Sequence, residues 1–95
     1  MEFLLLTFYL IIMYYLYIVE CVDGTFYTGI TVDLTRRIKE HNSSKLGARY
    51  TRVRRPVKLV FSKKFRNRSL VSKEEFRIKK LSRAEKQVII EDNKK

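Results

Sequence analysis

Two tyrosines, an arginine, a histidine and a pair of glutamates are the side chains of this sequence whose types and spacing suit work on a phosphate. Tyr17 and Tyr27 lie in two runs rich in β-branched and aromatic residues, Tyr14 to Val19 and Thr25 to Ile30, on either side of Asp23-Gly24. Arg37 and His41 are four residues apart, so on a helix they share a face, next to the Leu34 and Ile38 stripe. A guanidinium and a titratable imidazole at a core edge can meet a phosphate there. Glu74 and Glu75 fall on a helical pattern whose apolar arc is Leu70, Val71, Ile78 and Leu81, Glu74 near its middle and Glu75 at its edge. A carboxylate turned towards a core is costly unless it is paired or holds a metal ion. An ion pair with Arg77 or Lys79 is the plain alternative.

The elements that must carry these groups follow from local chemistry. Asp23-Gly24 between two strand-like runs is a hairpin signal. Its register decides whether the tyrosines cooperate, because a slip of one residue turns a strand's side chains to the other face. A two-residue loop sets Glu20 opposite Tyr27 and points Tyr17 away from it. A three-residue loop, Val22 to Gly24 with Gly24 left-handed as a bulge, sets Tyr17 opposite Gly29 and puts both phenols on one face. Thr31 to Asn42 reads as a helix with Asp33 in its first turn and Asn42 as its stop. The segment Ser43 to Pro56 reads as a loop, then Val57, Leu59 and Phe61 alternate as a third strand, with Phe61 and Phe65 over the core. Ser69 is a suitable N-cap for a helix from Leu70 to about Leu81. Ser82-Arg83-Ala84-Glu85 is a capping box opening a last helix through Ile90, with Glu91 to Lys95 expected to fray.

Ninety-five residues make one small domain, and 21 Lys and Arg against 10 Asp and Glu give a net charge of +11. That balance points to a polyanion, nucleic acid first and an anionic membrane surface second. Cys21 is the one cysteine, which excludes an internal disulfide and a thiolate zinc site. The Ser43 to Pro56 loop sets Arg49, Arg52, Arg54 and Arg55 around Tyr50, the composition of a segment that tracks phosphates and stacks on bases. From Phe3 to Val19 no side chain is charged, about the shortest length for a membrane span at ~17 residues, yet the end of that run is also the first strand. Residues 1–12 therefore read as a hydrophobic extension before a domain at 13–91, with 92–95 a basic tail. Met13 would itself serve as a start.

From Tyr14 to about Ile90 the chain resembles the GIY-YIG endonuclease superfamily, especially its small single-domain bacterial members. Leu16-Tyr17-Ile18 is similar to the first motif without its glycine, and Tyr27-Thr28-Gly29 to the second. Arg37 stands where the family carries its helix arginine, eight residues beyond Gly29, with His41 next on that face. Gly47-Ala48-Arg49-Tyr50-Thr51 and Ile78-Lys79-Lys80-Leu81-Ser82-Arg83 also resemble the small members. The family's metal-binding glutamate falls on Glu75, with Glu74 as the fallback. An asparagine that larger members place in the last helix has no counterpart; Gln87 stands near its position.

The resemblance implies an α+β fold, a small antiparallel three-stranded sheet flanked by helices in the order β-β-α-β-α-α. It implies metal-dependent hydrolysis of phosphodiesters, with Glu75 holding Mg²⁺ (or Mn²⁺), Arg37 gripping a non-bridging oxygen, Tyr17 or Tyr27 as base, and His41 receiving or orienting the tyrosine proton. Nucleic acid, DNA ahead of RNA, is the expected partner, and the cytoplasm the expected location. Two other classes stay open. One is a nucleic-acid-binding module on the same fold without useful turnover. The other is a small basic membrane-associated protein held through residues 1–12.

Overall fold

The computed structural model describes residues 12–95, and its central element is strand β1, Tyr14–Glu20. Leu16, Tyr17, Ile18 and Val19 are all buried, so both faces of β1 are covered, as in a strand with a layer on each side. β1 pairs antiparallel with β2, Phe26–Thr31, and with β3, Lys58–Phe65, in the order β2-β1-β3. The described residues also form four helices: α1, Leu34–Ser43; α2, Arg49–Arg52; α3, Arg68–Lys79; and α4, Arg83–Asn93. The architecture is α+β, a three-stranded antiparallel sheet flanked by helices.

The hairpin takes the three-residue loop. Cys21 N–H donates to Thr25 O at 2.8 Å and Gly24 N–H to Cys21 O at 2.9 Å, and Gly24 has φ +81°, a conformation that glycine adopts without steric cost. Asp23 accepts from the Thr25 amide at 3.1 Å and its hydroxyl at 2.6 Å, which fixes the turn. Tyr17 therefore faces Gly29 and Val19 faces Tyr27.

Alternation along β1 divides the interior in two. On one face Leu16 and Ile18 join Phe61, Val71, Ile78 and Ile90, the layer covered by α3 and α4. On the other, Tyr17 and Val19 join Cys21 and Val57, with Tyr27, Leu34 and Ile38 packed against them, the layer covered by α1. At ~1.5–3 kcal/mol for each fully buried large aliphatic side chain, the first layer supplies most of the hydrophobic stabilisation.

Several local expectations are corrected. Asp33 is the N-cap of α1 rather than part of its first turn, accepting from Arg36 N–H at 3.0 Å. Asn42 lies inside the helix; its amide donates to Val57 O at 2.9 Å and accepts from Val57 N–H at 2.7 Å, a strand-like pair that docks α1 on the chain entering β3. The segment expected as loop contains the one-turn helix α2. A bulge interrupts the alternation of β3: Ile18 pairs with Phe61 but Val19 with Leu59, and Leu59 is left exposed. Asn67, not Ser69, caps α3, accepting from Leu70 N–H at 2.9 Å, and Leu70 is exposed. The Ser82 and Glu85 capping box forms as expected, but α4 continues through Asn93, beyond Glu91.

The hydrophobic extension and the membrane contact expected through residues 1–12 lie outside the described residues apart from Ile12, which is exposed. Among the described residues no helix is long and apolar enough to cross a membrane.

Candidate active site

Gly29 is the floor of the site. A Cβ there would come within 2.6 Å of Tyr17 Cζ, so a side chain at this position of β2 would displace the phenol. The Tyr17 hydroxyl reaches across to α1 and lies 2.6 Å from His41 Nε2. On the far side of the imidazole, Nδ1 lies 2.7 Å from Thr51 Oγ1 of α2. Tyr17 is 1% exposed, and His41 and Thr51 are fully buried. Three elements distant in sequence thus hold one continuous polar chain inside the Tyr17 layer.

The second tyrosine shares that face. The Tyr27 ring meets His41 edge-on at 5.4 Å between centroids and stacks on Tyr50 at 6.0 Å; the Arg54 guanidinium lies 3.8 Å from the Tyr50 centroid. Arg37, partly buried on α1, donates through one terminal nitrogen to Glu40 Oε1 and to Leu46 O, both at 2.8 Å. Burial pushes the Tyr17 phenol above its ordinary pKa; the neighbouring Arg37 charge opposes that rise, and Tyr27 and Glu75 add to it. Burial, then the Arg37 and Arg55 charges, lower His41 to about 4 against the pull of Glu40. At neutral pH both groups are uncharged.

The two glutamates leave α3 in different directions. Val71 and Ile78 enter the core, and the carboxylates flank them with similar side-chain exposure, 19% for Glu74 and 24% for Glu75. Glu74 turns to β3, pairing with Arg77 and lying 3.9 Å from Lys63. Glu75 pairs with Lys79 at 3.3 Å, and it is the glutamate whose charge acts on the Tyr17 phenol. α3 packs on β2 as well as β1. Among the described residues no group of three or more His, Cys, Asp or Glu stands together. A single partly exposed carboxylate does fit Mg²⁺, a hard ion that retains waters and needs only one or two protein carboxylates.

The basic loop serves more than one purpose. Arg49 and Arg52 are exposed and have no acceptor among the described residues. Arg54 bonds Asp23 at 3.1 Å and Tyr50 O at 3.0 Å, tying the hairpin turn to α2. Arg55, expected on nucleic acid, directs its guanidinium to the carbonyls of Glu40, His41 and Ser44, satisfying the open end of α1. Gly47 permits the approach, since a Cβ there would lie 2.6 Å from Glu40 O. Thr51, Glu40 and Asn42 were not singled out by chemistry in the sequence; Gly47 and Thr51 appeared there only inside a resembling motif.

Within the first motif, Leu16 is fully buried in the apolar layer. Gln87 bonds Glu91 at 2.9 Å in an exposed pair along α4.

A family model described as the GIY-YIG catalytic domain matches residues 13–88. The chain is 54% identical over 82 residues to the UPF0213 protein DP2720 of Desulfotalea psychrophila, covering 86% of this chain and 74% of that one. It is 43% identical to two proteins with solution NMR structures. These are EF2693 from E. faecalis, with a TM-score of 0.61 over 84% of each chain, and the UPF0213 protein BH0048 from Bacillus halodurans, with a TM-score of 0.55 over 83% of each. With its family model spanning four-fifths of the sequence and both tyrosine motifs meeting on one face of the sheet, this chain belongs to the GIY-YIG catalytic-domain family.

Proposed function

We propose that this protein is a metal-dependent nuclease hydrolysing phosphodiesters of nucleic acid, DNA ahead of RNA, in the cytoplasm. The observation that carries the reading is the pairing of the Tyr17 hydroxyl with His41 Nε2 at 2.6 Å beside Arg37 and within the field of Glu75. Hydrolysis needs a water relieved of a proton, charge neutralised on the phosphoryl oxygens, and help for the leaving oxygen.

Tyr17 is the phenol provided with a proton acceptor. Its oxygen takes the proton of the attacking water as its own proton moves to His41 Nε2, so no free phenolate has to exist in a site that disfavours one. Tyr27 packs against the imidazole and extends the aromatic column to Tyr50. One terminal nitrogen of Arg37 is anchored by Glu40 and Leu46, which leaves its other nitrogens, beside the phenol, to grip a non-bridging oxygen. Glu75 would hold the ion, Mg²⁺ or Mn²⁺, which when bound supplies positive charge at the scissile phosphate and the leaving oxygen. Arg49 and Arg52, together with the +11 charge, hold the backbone of the strand without reading its bases.

The test is cleavage of duplex, branched and single-stranded nucleic acid with and without Mg²⁺, by the natural protein and by Glu75→Ala and Arg37→Ala. Mg²⁺-dependent cleavage that is abolished by Glu75→Ala and strongly reduced by Arg37→Ala is expected. Salt-sensitive binding with no cleavage on any substrate would instead identify a binding module. Sedimentation with anionic vesicles and no nucleic-acid binding would identify a membrane-surface protein.

A further inference from the structure

The Gly47 to Thr51 stretch resembles other small members of the family, yet hydrolysis as described above gives its buried Thr51 no task. Its geometry supplies one. Thr51 is fully buried, and its hydroxyl has two neighbours: His41 Nδ1 at 2.7 Å and Ala48 O at 3.0 Å. A carbonyl can only accept, so when the hydroxyl donates to Ala48 its oxygen is left to accept from His41. Nδ1 then carries the ring proton, Nε2 carries the lone pair, and the Tyr17 hydroxyl donates to it.

The opposite tautomer fits worse. With the proton on Nε2, the imidazole donates to the Tyr17 oxygen and Thr51 donates to Nδ1. The Tyr17 hydrogen then has no acceptor among the described residues, although the residue is 1% exposed. Ala48 O gives no counter-argument, because it also accepts from the Thr51 and Arg52 amides at 3.1 and 3.0 Å and is satisfied either way. One arrangement pairs all three hydrogens and the other strands a buried phenol hydrogen, a costly state.

We propose that Thr51 is a positioning residue whose hydroxyl fixes the Nδ1–H tautomer of His41 and so sets the direction of proton movement, from Tyr17 to Nε2. The tautomer assignment stands on geometry alone; its effect on turnover rests on the nuclease reading. In the forward step the Tyr17 O–H bond breaks as an Nε2–H bond forms, and the phenol oxygen receives the proton of water. The imidazolium produced keeps its Nδ1–H bond to Thr51, so Thr51 need not turn during the step.

His41 is the single histidine of the chain, so nitrogen-15 correlation spectra of histidine-labelled protein report this ring without overlap. At neutral pH the natural protein is expected to show a protonated Nδ1 and an unprotonated Nε2. Thr51→Ser should keep that pattern, and Thr51→Val should lose it, giving a mixture or the Nε2–H form. On cleaved substrate, Thr51→Val is expected to lower kcat about 10-fold to 100-fold with KM unchanged, and Thr51→Ser to restore most of it. An Nε2–H ring in the natural protein would overturn the proposal without recourse to any variant, as would a folded Thr51→Val with an unchanged ring. The expected tautomer in a protein that cleaves nothing would uphold the assignment and overturn the nuclease reading instead.

Discussion

On one face of the sheet Leu16 and Ile18 meet Phe61, Val71, Ile78 and Ile90, an apolar layer with no polar chain running through it. Thr28, opposite Ile18 in the register, carries the one buried side-chain oxygen or nitrogen without a partner among the described residues. On the other face Tyr17 and Val19 are just as buried, but His41 and Thr51 run through the layer and each has its hydrogen bonds. The difference separates two kinds of interior. The α3 and α4 side holds the fold together by area, whereas the α1 and α2 side accepts polar groups because each is matched, which aims the phenol at one place.

If that division is right, substitutions on the two faces should fail differently. On the Tyr17 side, Arg37→Ala should lower turnover by about 100-fold to 1,000-fold, the loss seen when one preorganised charge donor is removed, while its exposed neighbour Arg36→Ala stays within a few-fold. Steady-state kinetics on one substrate would separate them. On the apolar side, Ile78→Ala should reduce stability by about 2–5 kcal/mol in denaturant melts and leave turnover per folded molecule unchanged.

A pH titration sharpens the contrast. His41 is held down to about 4, by burial and then by Arg37 and Arg55 against Glu40, from an ordinary 6.5. The unfolded chain therefore takes up this proton first, and stability falls as pH drops through that window, by about 3 kcal/mol in all at ~1.4 kcal/mol per pH unit. Above pH 6.5 the histidine should contribute no slope. His41→Gln should flatten the 6.5 to 4 portion of a stability-pH curve, while Ile78→Ala shifts the whole curve down. The smallest effect belongs to the orphaned hydroxyl: Thr28→Val should be neutral or stabilise by about 1 kcal/mol, measurable as a small rise in Tm.

How much of this was legible depended on the range of the interaction. The hairpin could be read because Asp23, Gly24 and Thr25 act on neighbours, and its two registers narrowed to one once Gly24 was seen at φ +81°. Arg37 and His41 on one face followed from helical spacing. Thr51, ten residues from His41, and Asn42, fifteen from Val57, act through contacts that no periodicity records. Arg55 resembled its basic neighbours until its guanidinium was found on the end of α1. Asn67 and Ser69 are both competent caps two positions apart, and local propensity does not choose between them. The wheel ranked Glu74 above Glu75 because it treats a helix as facing one uniform surface. α3 faces strands on either side of its apolar stripe, so adjacent carboxylates reach different partners.

That pair also offers the most direct test. Plasmid cleavage should be followed in Mg²⁺ for the natural protein, Glu75→Gln and Glu74→Gln, each checked for an unchanged fold by near-UV circular dichroism. Mg²⁺-dependent nicking that survives in Glu74→Gln and vanishes in Glu75→Gln is the expected result. Equal activity in the two variants, or loss in Glu74→Gln alone, would contradict a site that joins Glu75 to the Tyr17 phenol.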